Sequence, residues 1–314
     1  PEELNLKIFT HNFNPASNSG PNKFTRTLLR RLVKQKSISL SSQEEADVEF
    51  CLIQQQLPKV KPMVLRLDGI WFNSEQEYNK QNAPIQYSYN NADAVVFQSE
   101  FNKKLTEKWF GVHKNSYIVH NAADQKLING INRRFWNEKF GDEAEVWSCA
   151  SNWRPHKRLR DNIRYFLNFA PKDAYLAIAG ALGMDEVKEL SALDNRIVFL
   201  GDLDYASLLA LYKRSSTFVH LSYLDHCPNV VVDAQASGCK VICSSTGGTH
   251  EIVDEGIIVL EDEWDMKPCK LYKPPQMDFT RTVPVEKDSD DKLNNLDVFD
   301  ACTNKYFEIM SELL

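Results

Sequence analysis

The chain has 314 residues, 43% of them hydrophobic and 25% charged, with a formal net charge of −6. That balance is ordinary for a folded soluble protein and argues against a disordered or fibrous architecture. The acidic average, with a pI near 5.7, argues against a protein whose main task is to coat nucleic acid. At about 150 residues per domain the length calls for two domains.

Short apolar runs alternate with helical patterns from the first residues. A strand is expected at residues 6–10, then a polar turn at 11–21 and a helix at 22–36. Further strands are expected at 48–53, 63–67, 94–98 and 117–119, with a helix after the capping Ser99 that runs to about residue 110. Residues 122–142, rich in Asn, Asp and Arg, break the rhythm and read as a linker with an irregular arm. It resumes with strands at 146–150, 175–179, 197–200, 218–221, 241–243 and 257–260, and with helices at 159–169, 205–213 and 229–237. Runs that are apolar throughout and separated by helices point to parallel sheets covered on both faces. The fold class is therefore α/β, with two successive parallel-sheet domains at 1–122 and 123–296. Polar, Pro- and Lys-rich residues 262–295 read as loop. A last amphipathic helix within 297–314 is a candidate to pack back on the first domain.

The seven cysteines are scattered, form no CxxC pair and have no histidine at zinc-finger spacing, as expected of reduced thiols in a cytoplasmic protein. The opening Pro1-Glu2-Glu3 resembles neither a signal nor a transit peptide. No uncharged apolar run approaches the ~18 residues needed to span a bilayer.

The chemistry is concentrated in residues 218–253, FVHLSYLDHCPNVVVDAQASGCKVICSSTGGTHEIV. A strand ends at Leu221, a loop carries Asp225, and a helix opens at Pro228-Asn229-Val230. Proline suits a first helical turn because its missing N–H would be unpaired there. The free amides of such a helix start can hold a diphosphate. Asp233 follows about one turn inside the helix, so two carboxylates eight residues apart could face one cleft. Each can accept from the hydroxyls of a sugar or ribose diol.

This stretch resembles the nucleotide-sugar signature of the retaining GT-B glycosyltransferases, in particular glycosyltransferase family 4 (glycosyl transferases group 1). That signature runs Glu, seven residues, Glu, Ala-x-Ala-x-Gly-x-x-Val, a short strand and Gly-Gly-x-x-Glu. Asp225 and Asp233 stand at the two Glu positions, followed in register by Ala234, Ala236, Gly238, Val241, Gly247, Gly248 and Glu251. Both acids are one methylene shorter than the family's, a departure that bears on which sugar is bound. Upstream, Lys157 matches the lysine that grips the donor's diphosphate. The strict arginine position five residues earlier is Asn152, with Arg154 as its substitute. A fixed Lys/Arg pair would neutralise charge on the leaving group.

The resemblance also implies that Gly201 and Leu203 belong to a loop whose backbone meets the base; His226 neighbours the sugar-binding loop. Gly20, in Ser19-Gly20-Pro21, would let a helix start approach the phosphates. It implies a GT-B architecture of two Rossmann-like domains facing a cleft, with the first on the acceptor side. Asp68, after a buried strand, is the acceptor-side catalytic candidate, and Asp-Gly there also reads as a simple turn. His11 could touch either substrate, whereas His120 and His220 read as core histidines. Helical Leu28, Leu29, Leu32 and Val33 read as core.

The implied reaction moves a sugar from a nucleoside diphosphate-sugar to an acceptor hydroxyl with retention, without a metal or cofactor. Asp202-Leu203-Asp204 offers an Asp-x-Asp metal pattern, but its place at a helix start reads as a cap. A sugar-nucleotide epimerase and a non-catalytic nucleotide-sugar-binding module are the alternatives. The acceptor could be a glycan, a lipid or a small molecule. No nucleic-acid partner is expected. The basic helix face of Lys23, Arg26, Arg30, Arg31, Lys34 and Lys36 reads as solvated, with peripheral contact to an anionic membrane as the alternative.

Overall fold

Strands buried along their length need cover on both faces, and the elements separating them supply it. A computed structural model of the chain describes residues 5–36, 38–286 and 298–314. The chain divides into two units, the first Pro1–Ala122 with Met266–Cys269 and Leu296–Leu314, the second Ala123–Asp265 with Lys270–Asn295.

Unit 1 begins with β1 (Lys7–His11), α1 (Gly20–Gln35), β2 (Ser39–Leu40), β3 (Val48–Leu52) and β4 (Met63–Leu67). It continues with α2 (Tyr78–Asn91), β5 (Ala94–Phe97), α3 (Glu100–Phe110) and β6 (Ser116–Ile118). The strands form one six-stranded sheet in the order β2-β1-β3-β4-β5-β6, and every pairing is parallel. Central β3, β4 and β5 are buried along their whole length, the result of helices on both faces. Ser99 caps α3, accepting a hydrogen bond from the Asn102 amide.

Unit 2 opens with α4 (Gln125–Gly130), a 3-10 turn at Arg133–Trp136 and α5 (Asn137–Phe140). Then come β7 (Val146–Ala150), α6 (Leu159–Phe169), β8 (Tyr175–Ala179), α7 (Met184–Ser191), β9 (Ile197–Gly201) and α8 (Tyr205–Arg214). The second half holds β10 (Thr217–His220), α9 (Asn229–Ala236), β11 (Lys240–Ser244), β12 (Gly256–Val259) and β13 (Thr282–Val285). The seven strands run in the order β13-β12-β11-β10-β7-β8-β9. All pair in parallel except β13, which is antiparallel to β12. The last element is α10 (Val298–Ser311).

Four expectations are corrected. Residues 262–295 are not all loop, because β13 closes the sheet; an edge strand tolerates Pro284, which masked its strand character. The arm at 122–142 is largely short helices. It is held by the Lys213 ammonium, which donates to the Ile128 and Ile131 carbonyls, and by the Trp136 indole on the Ser207 carbonyl. Val33, expected in the core, is 46% exposed. The basic face of α1 is only partly solvated, since Arg31 is buried, ion-paired with Asp300 and 4.9 Å above the Phe299 ring. The part of the 262–295 expectation that falls on residues 287–295, and residue 297 of the last helix, lie outside the described residues.

Those contacts belong to the packing of α10 on α1 within unit 1. Phe299, Cys302, Tyr306, Ile309 and Met310 enter one cluster with Phe24, Leu28 and Phe50, and Phe299 stacks on Phe24 at 5.2 Å. Beneath them Arg66 of β4 is fully buried, its guanidinium 4.3 Å from the Phe24 ring. Because Phe299 is fully packed, Phe299→Ala is expected to destabilise the fold by about 3–5 kcal/mol in denaturant titration. A loss below about 1 kcal/mol would show that α10 is not part of the unit 1 core.

Candidate functional site

In unit 2 the chain leaves β7 towards β8 and β9 on one side of the sheet and adds β10, β11 and β12 on the other. The strand order therefore reverses between β7 and β10, the place where ligands bind at the carboxyl ends of open α/β sheets. The two loops that leave these strands meet there. Lys157, in the 3-10 turn Pro155–Lys157 after β7, donates to Asp225 Oδ2 at 2.5 Å. His220, the last residue of β10, approaches the same oxygen with Nε2 at 3.0 Å, while the His226 amide donates to Oδ1 at 3.1 Å.

This environment fixes the charge of Asp225. Burial alone would raise its pKa, but the Lys157 ammonium and the His220 bond outweigh it and hold the carboxyl well below its usual range. Burial lowers the pKa of His220, so its neutral ring donates through Nε2. Burial also takes His226 and His156 down to about 4, and for His156 the neighbouring Lys157 adds to it. The site thus sets one ammonium and one carboxylate among neutral histidines.

Backbone devices hold both loops. Arg158 adopts a left-handed conformation (φ 52) at the cap of α6, where a non-glycine residue is strained. Its buried guanidinium pairs with both oxygens of Glu261, at 2.8 and 2.7 Å, and donates to the Pro275 carbonyl. The ring of Tyr223 lies 4.9 Å away. On the other side, Gly247 (φ 75) packs so closely that a Cβ would fall 2.3 Å from the Asp225 carbonyl oxygen. The Gly248 amide donates to that same oxygen at 2.7 Å. Glu251, of the same signature, donates its amide to the Gly248 carbonyl at 3.2 Å.

Pro228 stands at the N-cap of α9 and Asn229 and Val230 begin the helix. Asp233, on the same helix, is buried and accepts from the Tyr205 hydroxyl at 3.0 Å. Gly201 ends β9 with φ 70, and Leu203 packs partly buried against the unit 2 core. Asp204 caps α8, accepting from the Ser207 amide at 2.9 Å. Asn152 and Arg154 are exposed.

Gly20 and Asp68 belong to unit 1. Gly20 is the first residue of α1. Asp68 follows β4, ion-paired with the fully buried Arg66, which also donates to Asn121 at 2.8 Å. His11 is buried and bonds Glu49 at 2.9 Å. Sequence reasoning missed His220, Arg158, Glu261 and Tyr205. His220 was hidden by the apolar run around it, and the available signal was its place at a strand's carboxyl end.

Residues 145–267 match the family model described as Glycosyl transferases group 1. An uncharacterised glycosyltransferase of Methanocaldococcus jannaschii is 23% identical over 185 residues, which are 55% of this chain and 47% of that protein. The match thus spans about half the length of this relative. Among solved structures, sucrose-phosphate synthase from Thermosynechococcus elongatus superposes with a TM-score of 0.73 at 12% identity, covering 98% of this chain and 99% of that one. HepE of Anabaena, crystallised with UDP-glucose, gives 0.63 at 15% identity over 82% of this chain and 86% of that one. At these identities the likeness establishes the fold, that of the two-domain GT-B glycosyltransferases.

Two outcomes are expected. His156 and His226 stay neutral in the folded chain down to about 4, whereas an unfolded histidine takes its proton near 6.5. Between those values the unfolded state binds more protons, so stability is full above about 6.5 and is lost as pH falls through the window. Urea midpoints at pH 7.5, 6 and 4.5 should decline in that order, and a constant midpoint would contradict neutral buried histidines. Gly247→Ala should cost about 1–2 kcal/mol from its left-handed backbone alone, with more from displacing Asp225. A variant as stable as the parent in thermal melts would mean the loop is not braced this way.

Proposed function

We propose that this chain is a glycosyltransferase that takes a sugar from a nucleoside diphosphate-sugar and places it on an acceptor hydroxyl, with retention and without a metal. The observation that carries the reading is the Lys157–Asp225–His220 constellation at the unit 2 switch point, directly before the helix start at Pro228–Asn229. It puts a fixed cation and a set of helix-start amides where a diphosphate would gather charge. The group 1 family match over 145–267 covers these same residues.

In the proposed reaction the bond between the anomeric carbon and the diphosphate oxygen breaks as the acceptor oxygen bonds to that carbon on the same face. The acceptor proton passes to the departing diphosphate oxygen. Lys157 has two further N–H donors beyond its bond to Asp225 and stabilises the leaving group, with Arg154 reaching in from its exposed position. Asp225 orients the sugar and Asp233 holds the ribose. Asn152, Gly201, Leu203 and His226 line the donor. This assignment makes Lys157 the electrostatic counterpart of a metal.

HepE, with UDP-glucose bound, supports a donor of the nucleoside diphosphate-sugar class for this chain. A glycan, lipid or small-molecule acceptor suits the reading, and Lys23, Arg30 and Lys34 are the exposed cations of α1 that an anionic membrane surface would meet. Seven free cysteines, six of them buried, fit a reducing cytoplasm.

The test is turnover of a panel of nucleotide-sugars against mixed acceptors, with release of nucleoside diphosphate as the readout. Lys157→Ala should lower kcat about 10²–10³-fold, the usual loss on removing one preorganised charge-stabilising donor. Nucleotide binding without release by the wild-type chain would make it a binding module. Epimerised free sugar without acceptor would make it an epimerase.

A further inference from the structure

We infer that Tyr205 is a positioning residue for the ribose of the donor, acting through Asp233; the inference rests on the donor reading given above. Tyr205 is the first residue of α8, two positions beyond Leu203 of the loop that leaves β9. Its backbone is fixed from the preceding side, because Asp204 caps the helix through both the amide and the hydroxyl of Ser207. From there its hydroxyl reaches Asp233 Oδ2 on α9 at 3.0 Å.

The direction of this bond is settled by chemistry. Burial and the Asp233 charge both push the pKa of Tyr205 upward, so the phenol keeps its proton and donates it. A carboxylate offers about four acceptor positions. The Tyr205 phenol therefore restrains the rotation of the Asp233 carboxyl. Aspartate has one fewer rotatable bond than glutamate, so a hydroxyl donor at this distance restrains its carboxyl more strongly.

A second tyrosine faces the same charge. Tyr212 lies seven residues further along α8, on the same helical face. It is fully buried, and Asp233 contributes to raising its pKa. Its hydroxyl has no hydrogen-bond partner among the described residues. The aligned tyrosines place α8 against the acid of α9, and of the two it is Tyr205 that lies at bonding distance. Tyr205 is also 38% exposed, so loss of its hydroxyl leaves the hydrophobic core untouched.

The experiment is calorimetric titration of the full chain with UDP, GDP and ADP and with their 2′,3′-dideoxy counterparts, on wild type, Tyr205→Phe and Asp233→Ala. For whichever ribonucleotide binds, Tyr205→Phe should weaken affinity about three- to tenfold, the range for one lost hydrogen bond. Its dideoxy counterpart should bind wild type and Tyr205→Phe alike, because the orientation of Asp233 no longer matters to it. Asp233→Ala should lose discrimination between the two altogether. Thermal melts check that Tyr205→Phe folds as the parent does. Equal weakening of both nucleotides would mark a structural role, and no change or tighter binding would mark a bystander or a blocking contact; each overturns the inference while leaving the donor reading intact. Failure of wild type to bind any nucleotide overturns the donor reading and the inference with it.

Discussion

The carboxylate of Asp225 collects three donors, the Lys157 ammonium, the His220 ring and the His226 amide, and the loops around it are shaped to keep it there. An ion pair this poorly solvated, with side chains 19% and 16% exposed, is not a cheap source of stability. Desolvating both charges consumes much of their attraction, and removing either partner strands the other. Its value is positional. It ties the loop after β7 to the loop after β10, the neighbouring strands that lead to opposite halves of the sheet. The ammonium and the carboxylate are thereby delivered to the switch point at fixed separation.

The surrounding strain follows from that requirement. Arg158 and Leu224 both occupy left-handed backbone, at φ 52 and 55, one directly after Lys157 and the other directly before Asp225. Such conformations cost of order 1–3 kcal/mol each and persist only where neighbours over-determine them. Here the neighbours are identifiable. Glu261, the Pro275 carbonyl and the Tyr223 ring hold Arg158, and the Gly247-Gly248 turn holds the Asp225 backbone. In unit 1 a fully buried charge lies elsewhere: Arg66 pairs with Asp68, donates to Asn121 and lies against the Phe24 face beneath α10, so Asp68 already has a charged partner.

How much of this was legible depends on how far each feature is local. The apolar strands were readable because β3 to β5, β7, β10 and β11 are buried almost throughout, so most of their positions are apolar, Glu49 and Arg66 being buried exceptions that pair within unit 1. β13 was not, because an edge strand with exposed residues and an internal proline carries no burial signal. Val33 was misread because Leu28, Leu29 and Leu32 already fill the core-facing stripe of α1. Spacing, which a motif preserves, singled out Lys157, Asp225 and Asp233 as candidates. It did not reveal their partners: His220 is masked by the apolar strand it ends, and Tyr205 reaches Asp233 from α8 through packing, which no spacing encodes.

Those partners bear on the two aspartates that stand where the resembling signature has glutamates. A glutamate carries its carboxyl about one methylene further, enough to miss a donor placed for the shorter side chain. At position 225 the carboxyl is met by Lys157 and His220 on Oδ2; at position 233 it is met by Tyr205, also on Oδ2. Both acids are thus fitted with donors at the reach of aspartate, on opposite sides of the same helix start. Shortening a site's acids without such donors would leave their carboxyls free to rotate, and a rotating carboxyl loses the fixed geometry on which electrostatic preorganisation depends. The two aspartates and the donors at their reach therefore go together, each carboxyl held by hydrogen bonds suited to the shorter side chain.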